Sequence, residues 1–126
     1  MREIPDGNDP VELANWLFDL ARDGDTARLI AYVEVGAPVD LTDADGNTLL
    51  MLAAYHDRPD TVTALAAQGA DVNALNHRGQ SPLAGAVFKQ ADAVIAALLA
   101  AGADPDAGTP SARATAAMFG RPDLFS

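Results

Sequence analysis

Cysteine is absent from this 126-residue chain, lysine occurs once, at Lys89, and only 6% of the residues are aromatic. Each shortage excludes something. Without cysteine there is no disulfide, no thiolate metal site and no thiol nucleophile, so packing alone must stabilise the fold. With 8 Lys and Arg against 18 Asp and Glu the formal net charge is −10, and the arginines are scattered from Arg2 to Arg121. A phosphate-binding surface needs clustered cations that displace counterions, so neither nucleic acid nor an anionic membrane is an expected partner. No apolar run reaches the roughly 18 residues of a membrane helix, and Met1–Pro10 lacks the basic start and apolar core of a secretion leader, so a cytoplasmic location is expected.

What is present is a folded-domain composition, 49% hydrophobic and 21% charged, at a length that suits a single domain. Abundant alanine and the preference for Arg over Lys fit a high-GC bacterial genome. The chain also repeats itself. Gly36-Ala37 recurs 33 residues on as Gly69-Ala70 and 33 further on as Gly102-Ala103, and the same offset carries Asp40 to Asn73 to Asp106, Gly46 to Gly79, Thr48 to Ser81, and Leu29 to Val62 to Ile95. Within each period the apolar residues fall at helical spacing, which predicts two short helices per unit. Thr48 and Ser81 stand where an N-cap is needed, Pro82 just inside a helix start, and Gly69 and Gly102 where the second helix must stop. Segments such as Asp71–Gly79 are turn-rich and too polar for a further helix, and are expected to form extended, hairpin-like fingers.

These residues resemble the ankyrin repeat family. Asp43-Ala-Asp-Gly-Asn-Thr-Leu-Leu-Met-Leu-Ala-Ala54 followed by Gly69-Ala-Asp-Val-Asn73 is similar to that family's pattern, and Ser81-Pro-Leu83 with Gly102-Ala-Asp104 repeats it. The resemblance implies an all-α solenoid of helix-turn-helix units joined by fingers. Two full repeats, 43–75 and 76–108, are flanked by an amino-terminal cap, 10–42, and a truncated carboxy-terminal cap, 109–126, within one domain spanning 1–126. In the last unit Ala116-Ala-Met-Phe-Gly-Arg-Pro-Asp123 echoes Ala53–Asp60 from 63 residues earlier, three short of two periods, so a trimmed final finger is expected. Met51 and Ala84 replace the histidine that normally ties down the finger backbone in this family, and the substitution predicts looser fingers.

Catalysis is not expected. His56 and His77 have no recurring Asp, Glu or Ser partners around them, and they read as recognition residues or as ordinary surface histidines. Asp43-Ala-Asp45-Gly-Asn47 imitates the start of a calcium loop, but the twelfth position is Ala54 rather than a bidentate Glu, so no metal and no cofactor are expected. Leu65 and, eight residues on, Asn73 are similar to sites that asparaginyl hydroxylases modify in animal ankyrin proteins. The preferred expectation is that Asn73 is the family's common finger residue and caps its own turn through its side-chain amide.

The family resemblance implies a protein partner docked on the concave groove, carried at the finger tips by Ala44, Asp45 and Asn47 and by His77, Arg78 and Gln80. On the first helices it selects Arg22 and Asp23, Tyr55 and His56, Phe88 and Lys89, and Met118 and Phe119. One helix position then becomes Arg22, Tyr55, Phe88 and Met118 along the groove, a largely aromatic and thioether strip of the kind enriched at binding centres. Phe88 and Met118 are open to a second placement, tucked against neighbouring helices. The acidic fingers, with Asp40, Asp43, Asp45, Asp71, Asp104 and Asp106, favour a basic partner surface. The functional expectation is a non-catalytic interaction module, monomeric when free, that serves as an adaptor or inhibitor. The alternative is a structural subunit of a larger assembly, with an enzyme a remote third.

Overall fold

The side-chain oxygens predicted to start helices do so. Thr48 and Ser81 hold extended backbone and accept the amides of Met51 and Ala84, each at 3.1 Å, at the starts of α3 (Leu49–Tyr55) and α5 (Pro82–Phe88). Ser111 repeats the arrangement for α7 (Ala112–Met118) through the Ala114 amide at 3.1 Å. These elements belong to a computed structural model that describes residues 9–125. The leader-free reading of the amino terminus therefore lies, for residues 1–8, outside the described residues.

The longest helix, α1 (Pro10–Asp23), starts on the Asp9 carboxylate with Pro10 in its first turn and carries Trp16, Leu17, Phe18, Leu20 and Ala21 into the core. Trp16 meets Tyr32 of α2 (Thr26–Glu34) edge-on, with ring centroids 5.0 Å apart, which seals the amino-terminal end. The outer helices α4 (Pro59–Ala67) and α6 (Asp92–Ala100) end as the glycine positions predicted. Gly69 and Gly102 adopt φ of 91° and 89°, and the following amides, of Ala70 and Ala103, reach back to the carbonyls of Leu65 and Leu98. A short 3₁₀ turn, Pro122–Phe125, stands where a further outer helix would be.

Two layers result. Helices α1, α3, α5 and α7 pack side by side as the inner layer, and α2, α4 and α6 run behind them. Leu29, Val62, Leu65, Leu98 and Val87 are fully buried in one contiguous core, and Ala53, Ala86 and Ala116 stand with no exposed surface where helices approach most closely. The connection 101–111 before α7 is three residues shorter than 35–48 and 68–81, so the final finger is trimmed as expected.

The fingers are less hairpin-like than expected, because among the described residues the only bridge is the single antiparallel pair Thr42 and Thr48. They are nonetheless tied. The Asp43 carboxylate accepts the amides of Asp45 and Asn47, both at 2.9 Å, and Asn76 performs the same service for Arg78 and Gln80, both at 3.0 Å. Neighbouring fingers are also joined, by His77 N–H to the Asp45 carbonyl at 3.0 Å and by the Asn76 amide to Asn47 Oδ1 at 2.9 Å. The looseness predicted from Met51 and Ala84 is thus offset by carboxylate and amide side chains that hold the same backbone.

Asn73 also departs from its expected role. Its own turn is capped by Asp71, whose carboxylate accepts the Asn73 amide at 2.9 Å. The Asn73 side chain instead accepts the Asp104 amide of the next unit at 2.8 Å, as Asp40 accepts the Asp71 amide at 3.0 Å. This register position joins one unit to the next.

Candidate functional site

The inner helices and the fingers face one another across a groove. The inner helices α3, α5 and α7 bury most of their apolar residues and leave their last residue on the open side. Tyr55, Phe88 and Met118 end α3, α5 and α7 and are 48%, 57% and 69% exposed. The second placement considered for Phe88 and Met118 is therefore not the one adopted.

The groove encloses about 560 Å³, a size typical of clefts that hold a ligand or a partner's side chains. Tyr55, Phe88 and Met118 line it from the helix side, and Asp45, Asn47, Arg78 and Gln80 from the fingers. Seven of the fourteen candidate residues therefore share one concavity. The other seven, Ala44 and Asp23 among them, do not line it. His56, Lys89 and Phe119 each follow a lining residue, and the turn of about 100° per helical residue swings their side chains off the groove face. Phe119 packs edge-on against Phe88, with centroids 5.6 Å apart, and Lys89 places its ammonium 4.6 Å from the centroid of the Tyr55 ring. Arg22 pairs with Asp19 at 3.0 Å within α1. His77 lies over Gly46, so closely that a Cβ there would come within 2.6 Å of the imidazole. Its side chain nonetheless stays exposed at the finger tip.

The sequence reading missed the floor. Met51, Leu52, Ala84, Gly85 and Thr115 close the groove from below, and Asn76, Ser81, Pro82 and Pro110 complete its finger-side wall. The available signal was the 33-residue register itself, which aligns Leu52 with Gly85, followed by Thr115 after the three-residue deletion. Gly85 contributes no side chain, and apart from its chain neighbours and the backbone of its own helix no atom lies within 4 Å of where its Cβ would stand.

Charge is unevenly distributed around this groove. Several finger carboxylates serve the backbone: Asp71 and Asp104 hold their own turns, and Asp106 also pairs with Arg113 at 2.8 Å. Asp106 is held below the usual carboxylate range by that hydrogen bond first and by the guanidinium charge as well. On the opposite edge, burial lowers the His56 pKa, and Arg22, Arg58 and Lys89 lower it further, against Asp23. Among the described residues no group of three His, Cys, Asp or Glu could hold a metal ion. No described helix is long and apolar enough to cross a membrane.

A stack of helix pairs, with fingers on one side and an open groove between fingers and inner helices, defines a repeat scaffold whose free surface is concave. A family model described as ankyrin repeats in three copies matches residues 12–109, and the chain belongs to the ankyrin repeat family. A Pseudomonas aeruginosa ankyrin repeat protein is 47% identical over 51 residues, covering 40% of this chain and 30% of that protein. Human ankyrin repeat domain-containing protein 29 is 47% identical over 62 residues, covering 48% of this chain and 21% of that protein. The chain thus matches less than a third of either relative's length. The crystal structure of the human ASB11 ankyrin repeat domain superimposes with a TM-score of 0.66 at 27% identity, covering 71% of this chain and 40% of that one. As a family, ankyrin repeats are a non-catalytic fold used for protein–protein interaction.

Proposed function

We propose that this protein is a non-catalytic binding module that holds a partner protein in the groove between its fingers and α3, α5 and α7. One observation carries the reading: Tyr55, Phe88 and Met118 form an exposed row over a concave floor, although large apolar side chains left in water earn no stability for the fold. The module is a single domain of four units, 10–42, 43–75, 76–108 and 109–126, monomeric when free. It serves as a cytoplasmic adaptor or inhibitor in a bacterium, in keeping with the Pseudomonas relative and the Arg- and Ala-rich composition. The net charge of −10 speeds encounter with a partner that presents basic residues to the finger side.

The test is affinity capture from the source organism with the wild type beside a Tyr55→Ala, Phe88→Ala double variant whose circular dichroism is unchanged. A partner recovered with the wild type and lost with the variant supports groove binding. A partner retained by both excludes it and moves the site to the outer helices or the caps.

A further inference from the structure

Lys89, the only lysine in the chain, caps α5, yet its ammonium lies over a side chain of the neighbouring unit, 4.6 Å from the centroid of the Tyr55 ring. The His56 imidazole meets the same ring at 80°, with centroids 5.9 Å apart. Tyr55 is therefore held by two side chains, one from the end of its own helix and one from the next inner helix. A cation over an aromatic face is attracted by the ring quadrupole, and the contact orients the ring as well as the cation. Neither Lys89 nor His56 lines the groove, whereas Tyr55 does. The pair thus acts from outside on a residue that the groove presents.

Charges of both signs surround His56. Helix α1 contributes Arg22 and Asp23, and Arg22 pairs with Asp19 at 3.0 Å. The bend after α3 contributes Asp57 and Arg58, α4 carries Asp60 in its first turn, and α5 contributes Lys89. Burial first, then Arg22, Arg58 and Lys89, hold His56 below its ordinary 6.5, against Asp23. These fixed charges decide where the imidazole titrates. The step itself is the same whatever they are: one positive charge gained beside the ring that Lys89 occupies.

We propose that Lys89 and His56 form a pH-sensitive clamp on Tyr55: the ammonium holds the ring while the imidazole is neutral, and it is released when the imidazole takes up a proton. Two effects act in the same direction. The imidazolium repels the ammonium, and it competes with it for the same ring. The coupling is reciprocal, because a Lys89 charge that disfavours protonation of His56 is itself disfavoured, by the same factor, once His56 is protonated. A unit charge added roughly 7 Å away in water shifts the ratio of stacked to free Lys89 about threefold. Release accompanies the fall of pH below 6.5 and frees the orientation of Tyr55. Weaker groove binding at low pH then follows, a consequence that rests on the proposed function, whereas the clamp itself does not.

Carbon-edited proton NMR of the free protein in low-salt buffer tests the clamp without a partner, so its failure leaves groove docking untouched. Because Lys89 is the only lysine, its ε-methylene signal identifies itself. At pH 7.5 the Tyr55 ring current is expected to move that signal upfield. Toward pH 5.0 the stacked-to-free ratio it reports is expected to fall about threefold, with the same midpoint as the His56 ring protons. His56→Gln is expected to keep the upfield shift and remove its pH dependence, and Tyr55→Leu to remove the shift at every pH. Amide dispersion retained at both pH values assigns the change to the clamp rather than to unfolding. An ε-methylene signal with no upfield shift at pH 7.5 overturns the clamp. So does a shift that stays constant while His56 titrates, or one that changes equally in wild type and His56→Gln.

Discussion

Asn76 carries the finger that forms one wall of the groove, and removing its side chain tests how that finger is held. Its oxygen accepts the amides of Arg78 and Gln80 at 3.0 Å, and its nitrogen donates to Asn47 Oδ1 at 2.9 Å and to Gln80 Oε1 at 2.8 Å. Hydrogen bonds contribute about 0.5–1.5 kcal/mol each. Here water can reach the partners once the side chain is gone, so Asn76→Ala is expected to cost about 1–2 kcal/mol in all rather than the sum of four bonds. Asn76→Asp separates acceptor from donor, because it keeps both bonds to the backbone amides and loses those to Asn47 and Gln80. Asp43 already does this work as a carboxylate one unit earlier, so the Asp variant is expected to lose less than half as much as the Ala variant. Denaturant unfolding gives the magnitudes, and amide exchange at Arg78 and Gln80 gives the location. Unchanged protection of those two amides in Asn76→Ala would refute the claim that the side chain holds the finger, whatever the global stability did.

Two further outcomes follow from backbone and charge. Gln90 adopts φ of 56° at the bend after α5, where Gly24 and Gly120 stand in the equivalent bends of the first and last units. A left-handed conformation costs an ordinary residue about 1–2 kcal/mol, part of which is offset by the greater chain entropy of glycine, so Gln90→Gly is expected to stabilise the protein by about 0.5–1 kcal/mol. A melting temperature that falls in this variant contradicts the assignment. His56 has a folded pKa below its ordinary 6.5, through burial and then Arg22, Arg58 and Lys89. The unfolded chain therefore binds a proton more readily, and the stability linked to His56 is present above pH 6.5 and lost as pH falls toward the lowered value. His56→Gln should narrow the stability difference between pH 7.5 and pH 5.5, and an identical difference in wild type and variant excludes the effect.

Features governed by near neighbours in the chain were legible in the sequence. Thr48 and Ser81 cap helices because the amide each accepts is three residues away, and the trimmed last finger followed from the offset between Ala53 and Ala116. Reading the site was harder. Tyr55 and His56 are adjacent and both polar-tipped, yet one lines the groove and the other does not, a difference of one helical step whose phase depends on how α3 packs against α1 and α5. His77 is exposed at a finger tip, but its close approach to Gly46 of the neighbouring unit depends on how the fingers stack.

The sequence by itself determined the period, the two-helix unit, the caps and the alternation of buried and open positions, because capping and helical periodicity act over three to eight residues. Only the tertiary structure decided that residues 22, 56, 58 and 89 converge, that Asn76 replaces the missing finger histidine, and that Asn73 bonds forward to the next unit. Those arrangements join side chains about one repeat apart in sequence. Their distances depend on the stacking of successive units, which no single unit's residues specify.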